Sequence, residues 1–174
     1  MRAIKLCISV IIFVSLFLAA CSTKPAETTQ IKYYPADNLE GVIAKSRIRI
    51  DQEVSKDGNG SLRIVATKPT TVRLYETGDI DIENAQLIYR AKLRTQNIKG
   101  QTYLEMWCDF PEKGEFFSRA VKSALSGTHD WTPQEAPFFL KKGENPNNVK
   151  LNLVINGEGT VWIDDIHLMK GSLK

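Results

Sequence analysis

Polar and apolar residues alternate along most of this chain with a period of two. The clearest case is QTYLEMWCDF, residues 101–110. There Thr102, Leu104, Met106, Cys108 and Phe110 fall on one side of a strand, and Tyr103, Glu105, Trp107 and Asp109 on the other. AQLIYRAKLRT, residues 85–95, repeats the pattern, with Leu87, Tyr89, Ala91 and Leu93 inward and Ile88, Arg90, Lys92 and Arg94 outward. Further strands are predicted over 42–50, 61–67, 70–76, 115–122, 136–141, 149–156 and 160–169, all rich in Val, Ile, Tyr and Phe. The turn signals DGNG, TGD, IKG, EKG, SGTHD, KKGENPNN and NGEG separate them. Nowhere does a long apolar stripe recur at helical spacing; VKSALSG allows one or two turns at most. Many short strands punctuated by turns predict an all-β domain, a two-sheet sandwich or a barrel.

The first residues break this texture. MRAIK is followed by an apolar run from Leu6 to Ala20, too short for a bilayer span and suited to a secretory leader. The run closes on Leu18-Ala19-Ala20-Cys21, which resembles the lipobox of bacterial lipoproteins: an aliphatic residue, two small ones, then the cysteine that carries the diacylglyceryl group. The resemblance implies a signal peptide over 1–20, an acylated Cys21 (thioether lipid plus palmitate-type chains), and membrane lipid as a partner. It also implies lipid anchoring at a bacterial cell envelope. Ser22, rather than Asp, after the cysteine favours the outer membrane if the cell is Gram-negative. STKPAETTQ then reads as part of a flexible tether over 21–36, leaving 37–174 as the folded domain.

Composition narrows the function classes. The 174 residues, 43% of them apolar, suffice for one core. Without Arg2 and Lys5 of the leader, 21 basic residues face 20 acidic ones, a net charge of +1. That total carries no footprint for nucleic acid and no polybasic membrane patch. With Cys7 lost and Cys21 acylated, only Cys108 remains; an intrachain disulfide is excluded, and Cys108 is expected in the core.

Three segments, in order, resemble the jelly-roll carbohydrate-binding modules and the wider galactose-binding-like sandwiches. They are DGNGSLRI (57–64), the 127–157 segment with its DWTPQEAPFFLKKGENPNN, and the closing GTVWIDDIHL (159–168). The resemblance implies a two-sheet antiparallel jelly-roll β-sandwich and a non-catalytic binding role. It leaves Asp164 and Asp165 to be explained, since a carboxylate buried without a partner costs more than a strand gains. A β-bulge would let Ile163 and Ile166 both face inward while the acids turn aside. Backbone N–H groups of a neighbouring loop are a second compensation. The third, implied by the fold group, is structural calcium held by Asp164, Asp165, Glu40 and Asp57.

Catalytic patterns are absent from the sequence. His129 and His167 have no metal-ligand spacing, and no GxSxG elbow or phosphate-cradling glycine loop occurs. Glu105 and Asp109 would stand about 13 Å apart on a strand, beyond the separation that paired glycosidase carboxylates need. Sugar binding, by contrast, requires flat aromatic surfaces beside polar groups that fix hydroxyls. Tyr103, Glu105, Trp107 and Asp109 supply both kinds, with Arg90 expected to join them, so a glycan is the first expected ligand. The alternative is that acidic and basic rows merely pair across strands, with Arg90 or Lys92 opposite Glu105. The module would then be a structural or protein–protein interaction domain of the envelope. Trp131 and Trp162 are expected to be structural.

Overall fold

A computed structural model describes residues 27–173. The expected leader, Cys7, Cys21 and Ser22 lie outside the described residues. Among the described residues eight antiparallel strands follow one another: β1 (Thr28–Tyr34), β2 (Ile48–Asp51), β3 (Ser61–Ala66), β4 (Thr70–Gly78), β5 (Ala85–Phe110), β6 (Gly114–Arg119), β7 (Leu125–Leu140) and β8 (Asn148–Gly171). Among the described residues the only helical pieces are single 3-10 turns at Lys45–Arg47 and Val121–Ser123.

Two layers arise because β5 and β8, paired along nearly their whole length, fold over together. In the first layer, residues 159–171 of β8 lie between β5 (85–96) on one side and β1 and β3 on the other, with β2 outside β3 and β7 outside β5. The second layer runs β4, β8 (148–156), β5 (101–110), β6. At the fold-over the register slips between Gln96 and Lys99 of β5, which pair with Thr160 and Glu158 of β8, beside Gly157 and Gly159. The two chains approach so closely there that a Cβ on Gly157 would lie 1.7 Å from the Lys99 carbonyl oxygen, and its φ of +152° suits glycine alone. Segments expected as separate strands, 85–95 with 101–110 and 149–156 with 160–169, are therefore each one bent strand. IKG and NGEG bend the ribbon instead of ending it.

The inward rows of both halves meet in one core. Leu87, Tyr89, Ala91 and Leu93 from the first layer, and Leu104, Met106 and Cys108 from the second, are all fully buried. Tyr34 of β1 stacks on Tyr75 of β4 with ring centroids 4.0 Å apart, and Phe138 of β7 lies 6.0 Å from Phe110 of β5. Both contacts bridge the layers. Cys108 is free and buried, and burial pushes its thiol up to about 12. β7 accommodates Pro133 and Pro137 because it is the outer strand of its layer, paired only with β5.

Thr28–Tyr34, expected in the tether, is a strand: it pairs with residues 166–171 of β8, with one bulge between Gln30 and Lys32. The segment looks polar because only Ile31 and Tyr34 pack against the core, too few to mark alternation. The strand expected over 42–50 shrinks to Ile48–Asp51, preceded by the 3-10 turn.

Candidate functional site

The outer surface of the second layer is built as a lattice of cross-strand rows. One row reads Arg73, Asn152, Glu105, Arg119 across β4, β8, β5 and β6. The next reads Glu76, Lys150, Trp107, Phe117, and beyond it lie Asn148, Asp109 and Glu115. On the other side of the first row stand Thr71, Val154 and Tyr103. Strand alternation puts every one of these on the face turned away from the core.

Glu105 is the centre of this surface. It is only 4% exposed, although it points outward. Arg119 Nε donates to its Oε2 at 2.6 Å, and Asn152 Nδ2 donates to its Oε1 at 3.0 Å. Burial pushes the Glu105 carboxyl up, but hydrogen bonds from the side chains of Trp107, Asn152 and Arg119 outweigh burial and hold it below its ordinary value. Asn152 Oδ1 is buried and has no partner among the described residues. A buried acceptor of this kind is costly unless something donates to it.

Aromatic surface flanks the polar row. Trp107 is half-buried beside Phe117, ring centroids 5.0 Å apart, and Phe117 is 50% exposed. The Arg119 guanidinium lies 4.2 Å over the Phe117 ring. Tyr103 is half-buried on the other side. Two shallow hollows of about 440 and 360 Å³ open on this face, the first bounded by Arg73, Trp107 and Lys150, the second by Tyr103 and Val154, with Glu105 and Arg119 in both.

Of the residues expected here, Tyr103, Glu105, Trp107 and Asp109 do share one face. Arg90 does not join them: it lies on the first layer, where its Nε meets Glu135 of β7 at 2.6 Å. Nor does Glu105 face Arg90 or Lys92; its cation is Arg119. Arg73, Asn152, Phe117 and Arg119 were missed. Outward Lys150 and Asn152 within VKLNLVIN carried a signal, but their neighbours depend on register, which the sequence does not display.

The adjacent aspartates are explained by two of the three compensations. Three residues of β5, Arg90 to Lys92, run alongside four of β8, His167 to Asp164, so β8 carries a bulge there. Asp165 sits at φ +54°, and Ile163 and Ile166 are both fully buried. Asp164, 1% exposed, accepts from the Lys56 N–H at 2.8 Å and the Asp165 N–H at 2.7 Å. Burial pushes its carboxyl up against these two bonds, with Asp57 and Asp165 adding repulsion. Asp165 meets His167 Nε2 at 2.7 Å. Among the described residues no three His, Cys, Asp or Glu side chains gather as a metal site. The four side chains expected to hold calcium, Asp164, Asp165, Glu40 and Asp57, are not gathered at one point: Glu40 is exposed, and Asp57 accepts from Ser55 and Asn59.

No protein-family model and no curated protein matches the chain. Solved structures do. The CBM22-1 xylan-binding domain of Paenibacillus barcinonensis Xyn10C superimposes with a TM-score of 0.61 at 10% identity, over 87% of this chain and 100% of that domain. The CBM22-1–GH10 modules of Clostridium thermocellum xylanase 10B, complexed with xylohexaose, give 0.60 at 11% identity. That match covers 83% of this chain and 29% of that one, so the chain spans less than a third of the xylanase structure. A family 16 carbohydrate-binding module gives 0.50 at 12% identity, over 70% of this chain and 84% of the module. At these identities the likeness establishes the fold, the β-sandwich of carbohydrate-binding modules.

Proposed function

We propose that the chain is a non-catalytic, lipid-anchored envelope protein that binds a neutral glycan on the outer face of its second layer. The observation that carries this reading is the outward yet buried Glu105, braced by Arg119 and Asn152 between Trp107 and Tyr103. Such a site stacks the C–H faces of sugar rings on Trp107, Tyr103 and Phe117. The second lone pairs of the Glu105 oxygens and the unpartnered Asn152 Oδ1 accept hydroxyl protons. Arg73 and Arg119 donate at the two ends of the row. Because Glu105 is already held by two donors, it orients a ligand and has no proton to exchange at neutral pH.

The solved relatives in xylan-binding proteins make xylohexaose the first probe. A glycan array of neutral β-linked oligosaccharides, xylohexaose among them, tests the reading with the full chain in non-ionic detergent. Binding is expected, with loss in Trp107→Ala. The rival reading, a protein-docking module, is favoured by exposed Phe116, Phe117 and Phe139, which are 49%, 50% and 61% accessible. Silence across the array together with co-purification of one envelope protein would favour it.

The anchoring part of the proposal rests on the Leu18–Cys21 pattern. β1 begins at Thr28, so a lipid on Cys21 would leave a leash of only six residues, holding the sandwich close to its membrane.

A further inference from the structure

The opposite side of the sandwich carries a second, differently charged surface. Across the first layer, Arg49 of β2 stands directly opposite Arg63 of β3, Arg63 opposite Trp162 of β8, and Trp162 opposite Arg94 of β5. Strands lie about 4.8 Å apart, so Arg49 and Arg63 are like charges in adjacent cross-strand positions, an arrangement that destabilises a sheet. Elsewhere the sheet matches its charges: Arg90 with Glu135, Arg119 with Glu105, Lys150 with Glu115, Lys99 with Glu158. Arg47, Arg49, Arg63, Lys68 and Arg94 form no ion pair within 4 Å among the described residues. Asp51, whose charge is felt by Arg63, spends its carboxylate on the Trp162 indole N–H at 2.8 Å and on the backbone N–H groups of Glu53 and Val54.

These cations are aimed as well as unmatched. Trp162, 6% exposed, has the Arg63 guanidinium 5.6 Å and the Arg94 guanidinium 6.0 Å from its ring centroid. The indole thereby fixes two forks on the surface. Arg49 uses one N–H on the Ile48 carbonyl at 3.0 Å, its only side-chain hydrogen bond among the described residues. Arg47, Arg49, Arg63 and Lys68 line a hollow of about 380 Å³ whose apolar wall includes Val65, 59% exposed. A near-neutral chain has thus sorted unpaired positive charge onto one face.

We propose that this hollow binds a polyanionic glycan, with carboxylates of successive uronate sugars taken by the forks of Arg47, Arg49 and Arg63. Guanidinium forks match carboxylate geometry in bidentate fashion. Arg49 and Arg63, one strand apart, suit successive carboxylates of a chain bearing one per sugar, and Arg47, two residues before Arg49 at the end of the 3-10 turn, adds a third fork beside them. The concavity and the Val65 wall fit a sugar ring, whereas a flat bilayer would meet only the rim. The site is independent of the Glu105 face and stands or falls without it.

Polygalacturonate is the probe, titrated into the full chain in non-ionic detergent at low and high salt. Binding that weakens with salt is expected, as is a loss of at least about tenfold in Arg47→Gln/Arg49→Gln. Both positions are exposed, and Arg49→Gln relieves the repulsion with Arg63, so the melting midpoint should not fall. Arg63→Gln should weaken binding as well, and Trp107→Ala should leave it intact. The proposal is overturned if polygalacturonate does not bind at low salt, or if neither arginine variant weakens it. It is also overturned if Trp107→Ala abolishes binding, or if only phosphatidylglycerol vesicles bind this face.

Discussion

Glu105 and Arg119 stand opposite each other on β5 and β6, and Arg119 Nε lies 2.6 Å from Glu105 Oε2, with Trp107 and Phe117 in the neighbouring row. Because hydrogen bonds hold the folded Glu105 carboxyl below its ordinary value of 4.5, its ionised form favours the folded state. That stability is present above the unfolded value and is lost as pH falls through the lowered folded value. The melting midpoint of Glu105→Gln should therefore lie below that of the unsubstituted chain at pH 7, with the gap narrowing on acidification below about pH 4.5. A gap independent of pH would contradict the role assigned to the carboxylate.

Gly157 tests the fold-over. Its φ of +152° and the 1.7 Å approach of a Cβ to the Lys99 carbonyl leave no room for alanine. Gly157→Ala should destabilise by about 3 kcal/mol or more, or prevent folding. Gly114→Ala, at a turn with no atom near the added carbon but a φ of +80°, should cost only about 1 kcal/mol. Equal losses by chemical denaturation would refute the close crossing.

Asp164 should matter through N–H groups rather than through a metal. Replacing it with Ala orphans the Lys56 and Asp165 amides and should cost about 2–4 kcal/mol. A chelator should leave the melting midpoint of the unsubstituted chain unmoved. A midpoint lowered by chelator and restored by calcium would show an ion bound there and contradict a role for Asp164 through N–H groups alone.

Much of the second-layer face was readable because period two alone assigns Tyr103, Glu105, Trp107 and Asp109 to one side of a strand. Arg90 shows where this reading fails. It is outward by the same rule, but β5 folds over between Gln96 and Lys99, so outward at 90 and outward at 103 point to opposite sides of the molecule. Local alternation cannot report a bend that depends on how closely Gly157 and Lys99 approach. Asn152 and Arg119 were hidden for a related reason: their place beside Glu105 is set by pairing register between distant strands. β1 was hidden because an edge strand with two core contacts scarcely differs from a polar tether. The bulge at Asp164–Asp165 was legible, because two acids between Ile163 and Ile166 leave few other ways to keep both isoleucines inside.

Lipidation is testable apart from the fold. Cells fed labelled palmitate should incorporate it into the chain, and Cys21→Ser should abolish the label. The Cys108 peptide should stay unmodified by iodoacetamide in the folded protein and react in denaturant, given its burial and a thiol pushed up to about 12. Label retained in Cys21→Ser would move the anchor elsewhere.

The central claim, that a sugar docks across Glu105 and Trp107, is tested most directly by calorimetric titration of the full chain with xylohexaose. The account predicts saturable binding that is lost in Trp107→Ala and weakened at least about tenfold in Glu105→Gln, since a ligand hydrogen bond to a charged group is worth about 1.5–3 kcal/mol. Absence of heat with the unsubstituted chain, or binding that survives both substitutions, would contradict it.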